Sequence, residues 1–212
     1  MEEVYEDGCV YPNIFKPEKN KVYNEKEIEN FLFLSDSPHA KLFKTELAKG
    51  IVFPHKVSFT DGILYKLYIS KIKSGMFIDE PLAYHLRDRE GNTVTDTKPK
   101  IADQHYTVFK SIMEQYNKFE NKSNLFYYRI FLQCKFVNYE VAKIKDKSVY
   151  KEKRNLVYKM YKDCRKYRLN IYEASKNESI NQKMVYRLLL NPITSKLTFN
   201  YFSNKVWKER NN

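Results

Sequence analysis

Residues 58–75 read SFTDGILYKLYISKIKSG. Ile63, Leu64, Leu67, Tyr68 and Ile72 recur at three- and four-residue intervals, which predicts a helix that opens at Asp61 and closes at Gly75. Asp61 then stands in the first turn, where an acid has two uses. It can cap orphan backbone N–H groups, as Thr60 could also do. It can instead be a carboxylate held rigidly for chemistry, kept ionised by the positive end of the helix dipole.

Upstream, NEKEIENFLFL (24–34) predicts a helix with Asn24 as N-cap and Glu27 three residues on, a capping-box arrangement, with SDSP (35–38) ending it. HAKLFKTELAKG (39–50) predicts another, with Leu42, Phe43 and Leu47 on one face and Gly50 as its stop. IVFPHKV (51–57) is an apolar stretch broken by Pro54. Downstream, MFID (76–79) and PLAYHLR (81–87) predict two short strands, followed by a loop rich in turn residues, REGNTVTDTKPK (89–100).

From Ile101 the pattern is helical almost to the end. Residues 102–119, 124–144 and 151–169 carry apolar side chains at helical spacing with Lys and Arg between them, and two shorter helices are predicted around 180–190 and 193–207. Charge divides the chain at nearly the same place. Residues 1–140 hold 20 Lys/Arg and 20 Asp/Glu, while 141–212 hold 18 and 6, so the net charge of +12 resides in the last third. Such asymmetry implies an anionic partner, either lipid headgroups or nucleic acid.

Hydrophobic residues make up 42% of the chain and aromatics 16%, which excludes disorder. Cys9, Cys134 and Cys164 are far apart and lack zinc-finger spacing, so reduced thiols in a cytosolic protein are expected. His39, His55 and His105 have no partner spacing that suggests a metal site. No apolar run reaches transmembrane length.

The order of motifs resembles the acceptor-side half of bacterial family 2 glycosyltransferases of the GT-A fold. AKLFKTELAKGIVFP matches the family's KLF or KLY helix, TDG its acidic motif at a helix start, and MFIDEPLAYHLRDREGNTVT its strand and basic loop. The resemblance covers about residues 4–95. It implies a partial α/β, GT-A-like unit over 1–100, followed by a mainly helical basic appendage over 101–212. In inverting members the acid of this motif is the general base that deprotonates the acceptor hydroxyl, a role that falls here on Asp61. Arg87 and Arg89, with His85 before them, match positions that meet the donor diphosphate, where guanidinium groups offset charge on the leaving group. Asp88 and Glu90 offer the plainer alternative of a solvated strand end, and Lys41, at the motif's lysine, that of a helix-surface residue.

The family's nucleotide-binding half with its metal-holding DxD motif has no counterpart here. The expectation is therefore a truncated enzyme or half of a split one, inactive alone, with no metal of its own, although a complete member would use Mg or Mn. Its implied partners are a nucleotide sugar, a cell-surface glycan or lipid-linked acceptor, and an N-terminal half supplied in trans. In the family, C-terminal amphipathic helices often hold the enzyme at the inner membrane face, which implies a cytoplasmic, peripheral protein that meets anionic lipid through 141–212. Val157, Tyr158 and Tyr161 form one apolar face there. The alternative is a non-catalytic interaction protein whose basic helices contact membrane or nucleic acid.

Overall fold

Side-chain caps start three of the helices in a computed structural model, which describes residues 15–38, 41–78, 80 and 100–211. Asn24 Oδ1 accepts from the Lys26 N–H (2.9 Å) and the Glu27 carboxylate accepts from the Asn24 N–H (3.3 Å), so the expected capping arrangement is present in part, the Glu27 N–H going to the Asn24 carbonyl instead of its side chain. It opens a turn and then a 3-10 helix, Ile28–Phe33. Further on, the Ser123 hydroxyl caps α4 (Asn124–Ala142), the Asp146 carboxylate caps α5 (Lys147–Cys164), and Ser179 with Gln182 forms a full capping box on α7 (Ile180–Leu190). Between them lie α3 (Ile101–Tyr116), a 3-10 turn at Arg165–Tyr167 and α6 (Arg168–Ala174); α8 (Ser195–Asn211) follows.

The first section departs from the sequence reading. Of the expected helix 39–50, only Thr45–Ala48 is helical among the described residues (α1), and Leu42, expected on its apolar face, is 95% exposed. Residues 41–44 are instead laid along α2 (Asp61–Ile69): the Phe43 ring meets Tyr68 edge-on at 4.9 Å, and the Lys44 N–H donates to the Tyr68 hydroxyl (2.6 Å). Gly50 does mark the stop, with φ +80. The second helix, α2 (Asp61–Ile69), ends before Gly75. Gly75 belongs to a strand, β2 (Gly75–Met76), where a Cβ would lie 2.7 Å from Ile28 Cδ1 and only glycine fits without a shift.

β2 pairs antiparallel with β1 (Val22–Tyr23), and this ribbon is the only sheet among the described residues. The chain is mostly helical, 63% helix against 3% strand, so the α/β sheet expected for residues 1–100 shrinks here to one ribbon. The second expected strand, 81–87, lies outside the described residues.

One buried cluster runs from Tyr23, Ile28 and Leu32 through Ile63 and Leu67 to Phe109, Phe131, Val157 and Phe199. At its centre α4 packs on α3, α5 and α6. Val157 and Tyr161 are buried in it and Tyr158 is packed against it, so the apolar face of α5 faces the core and is not available to a membrane. Cys134 and Cys164 are buried free thiols 3.8 Å apart. Among the described residues no helix is long and apolar enough to cross a membrane.

Candidate functional site

The loop that delivers Asp61 is tied to α3 by two glutamines. Gln115 takes the Val52 N–H on Oε1 and returns Nε2 to the Val52 carbonyl, both at 2.8 Å, and Gln104 Oε1 accepts from the Ser58 N–H (2.6 Å). Between these ties and α2 the backbone is strained. Lys56 and Phe59 take φ 56 and φ 63, the left-handed region, which costs a residue with a Cβ about 1–2 kcal/mol. Phe59 is held there by its stack on His105, with ring centroids 4.4 Å apart and planes 17° from parallel. His105 in turn meets the edge of Phe136 (5.8 Å).

Two residues later Asp61 opens α2, half-buried. Its Oδ1 accepts the N–H of the adjacent Gly62 (3.0 Å), while the Thr60 side chain makes no cap bond. The cap reading is thus satisfied only by N–H groups at the very start of the helix, those of Asp61 itself and Gly62. Burial raises the Asp61 carboxyl above the usual range; the Gly62 N–H opposes this and the charge of Asp36 adds to it.

Asp36 belongs to a buried ion cluster built on the same helix. Lys66, one turn beyond Gly62, has no exposed surface and donates to Asp36 Oδ2. Arg129 reaches over from α4, with Nη2 3.2 Å from Asp36 Oδ1 and Nε 2.8 Å from the Leu32 carbonyl. Lys41 lies 5.0 Å above the Tyr65 ring and donates to the Ser37 carbonyl. The Tyr65 hydroxyl donates to the Phe31 carbonyl (2.7 Å). Burial pushes the Asp36 carboxyl up, but Arg129, Lys66 and Lys41 outweigh it and hold it below its ordinary value. Burial pushes Lys66 down to about 8 despite Asp36.

Gly62 is the residue that lets this cluster reach the helix. A Cβ at that position would stand 3.3 Å from Lys66 Nζ and 3.5 Å from Asp36 Oδ2. The glycine of TDG is therefore a close-approach glycine with ordinary backbone angles. The site so formed sets two carboxylates in opposed environments. Asp36 is neutralised by cations and stays ionised, whereas Asp61 is desolvated, has backbone N–H donors but no cation bonded to it, and is the more basic of the two.

Of the residues singled out in the sequence, Asp61 is thus in a built polar site. His85, Arg87 and Arg89 lie outside the described residues. Asp36, Lys66 and Arg129 escaped the sequence reading, in which His105 figures only as a histidine without metal-ligand spacing. Lys66 carries a usable signal, a lysine on the Ile63/Leu67 stripe; Asp36 sits in a stretch that reads only as a helix terminator. Among the described residues no group of three or more His, Cys, Asp or Glu could hold a metal ion. A surface hollow lined by Tyr139, Lys143, Lys145 and Arg210, at the ends of α4 and α8, shares no residue with this cluster. No protein-family model, curated protein or solved structure matches the chain.

Proposed function

We propose that Asp61 is the general base of an inverting glycosyl transfer from a nucleotide sugar to a glycan or lipid-linked acceptor. The observation that carries this reading is the contrast between Asp61 and Asp36. A fold that needed an acid at the start of α2 only as a cap gains nothing from burying it, because its charged form is disfavoured there. A base benefits from the same burial: desolvation moves its pKa toward that of a working proton acceptor, and the pinned loop fixes its position. Strain at Phe59, next to the same acid, fits the common concentration of strained backbone at active sites.

The chemistry assigned to Asp61 is one proton transfer. Its carboxylate takes the acceptor hydroxyl proton as that oxygen bonds to the anomeric carbon and the nucleoside diphosphate leaves with the electron pair of the broken C–O bond. The diphosphate requires neutralisation by a metal and by basic side chains, a role that the family resemblance gives to Mg or Mn and to Arg87 and Arg89. The reading therefore requires a donor-binding unit with metal ligands, supplied in cis or in trans.

Asp61→Asn separates the two uses of the acid. The amide oxygen still accepts from Gly62, and removal of a charge disfavoured by burial leaves the protein at pH 7 at least as stable as wild type, as measured by urea unfolding. In the assembled enzyme, transfer falls by about 10²-fold or more, because no proton acceptor remains. Unchanged turnover in a folded Asp61→Asn variant refutes the assignment.

A further inference from the structure

The last third of the chain carries the entire net charge of +12, and the structure shows which of its surfaces is apolar as well. On α7, Ile180, Met184 and Leu188 follow one another at four-residue intervals and are all exposed. Ile193 in the turn before α8 and Leu197 and Tyr201 on α8 repeat the same interval, at 86%, 76% and 66% exposure. The two helices pack against each other, and each already buries a different apolar set: Tyr186, Leu189 and Leu190 on α7, Phe199 on α8. Core formation therefore accounts for one side of this helix pair and leaves the second apolar side unexplained. A single exposed leucine needs no explanation, but two periodic rows on adjoining helices do.

Cations are set within the rows. Arg187 adjoins Leu188 and Lys196 adjoins Leu197; both are exposed, and neither forms an ion pair among the described residues. Apolar side chains that can sink below a headgroup layer, flanked by unpaired Lys and Arg that meet its phosphates, are the pattern of a helix lying in a bilayer interface. Tyr201, at the end of the α8 row, has the amphipathic ring suited to headgroup depth. A protein partner would call for large aromatic anchors at the centre of the patch, and the rows are aliphatic there.

We propose that the α7–α8 face, with Ile180, Met184, Leu188, Ile193, Leu197 and Tyr201 toward the lipid and Arg187 and Lys196 on the headgroups, docks this protein on an anionic bilayer. The inference is independent of the role given to Asp61. It also replaces the face of α5 that the sequence suggested for this purpose, which the core consumes.

Sedimentation of the full chain with phosphatidylglycerol-containing vesicles, against pure phosphatidylcholine vesicles, tests it. The wild type binds the anionic vesicles, and added salt weakens the binding. Ile193→Ser with Leu197→Ser, and separately Arg187→Gln with Lys196→Gln, each lower the partition coefficient about tenfold. All four side chains are exposed, so thermal unfolding followed by circular dichroism stays at the wild-type midpoint. Leu42→Ser, at a 95% exposed position outside the face, leaves binding unchanged. Three results overturn the proposal: no vesicle binding by the wild type, binding that both pairs of substitutions leave intact, or displacement from vesicles by single-stranded RNA at equal ionic strength.

Discussion

Asp36→Ala removes the counter-ion of a lysine with 0% exposure and of an arginine whose side chain is 19% exposed. Loss of one partner of a buried pair commonly costs about 3–5 kcal/mol. Here the lysine part is smaller, because it has a ceiling. Lys66 is already lowered from 10.5 to about 8. Keeping it charged in the fold at pH 7 thus costs about 3 kcal/mol relative to the unfolded chain, at roughly 1.4 kcal/mol per pKa unit. Without Asp36 it can shed its proton, which at pH 7 costs about 5 kcal/mol in all, so the further loss through Lys66 is only about 1–2 kcal/mol. Arg129 cannot shed a proton, and losing its charge-assisted bond to Asp36 adds about 1–2 kcal/mol. The expected destabilisation at pH 7 is therefore about 2–4 kcal/mol.

The pH dependence distinguishes the two parts. A lysine with a depressed folded pKa binds fewer protons folded than unfolded across the interval up to 10.5, so stability rises with pH there. In the wild type the rise begins near pH 8; in Asp36→Ala it begins lower, since the attraction that kept Lys66 charged is gone. By pH 9 the lysine is mostly neutral in both folded proteins, and the difference between them contracts by about 1–2 kcal/mol to the arginine part alone. Urea unfolding of both proteins at pH 7 and pH 9, at one ionic strength, measures this. A difference that is unchanged or larger at pH 9, or smaller than about 1 kcal/mol at pH 7, refutes the account of the cluster.

Two further predictions concern neighbouring positions. Burial holds His105 down to about 4, so wild-type stability falls as pH drops from 6.5 toward 4, when the unfolded chain takes up a proton that the fold refuses. His105→Phe keeps the stack on Phe59 and sacrifices no hydrogen bond seen among the described residues; it matches wild type at pH 7 and is about 2–3 kcal/mol more stable near pH 4.5, by urea unfolding at both pH values. Gly75→Ala drives a methyl to 2.7 Å from Ile28 Cδ1, in a side chain that is 1% exposed, and lowers the thermal midpoint by about 3–10 °C. Gly50→Ala, with nothing within 4 Å but φ +80, loses only the backbone term of about 1 kcal/mol, and calorimetry of the two variants separates clash from backbone strain.

The helical spans 102–119, 124–144, 180–190 and 193–207 were legible in the sequence because apolar spacing of three and four acts within a turn or two of the residues it organises, whereas the start of α5 at Lys147, capped by Asp146, and the separate α6 at Arg168–Ala174 were not. The start of α2 at Asp61 was legible on the same grounds, as was the left-handed stop at Gly50. Contacts distant in sequence decided the rest. Residues 41–44 leave the helical pattern because Tyr68, 24 residues beyond Lys44, takes its N–H and packs on Phe43. Gly75 reads as a helix stop, yet it is needed as the glycine against Ile28, an apolar contact that exists only once β1 and β2 pair. The candidate site is the clearest division. Asp61 announces itself, but its basicity comes first from burial and then from the charge of Asp36, which Lys66 opposes, and Asp36 is itself separated from Lys66 and Arg129 by 30 and 93 residues. A charge cluster of that kind has no period and no spacing rule. It is set by the tertiary fold, in which burial makes an unpaired charge so costly that the partners must meet.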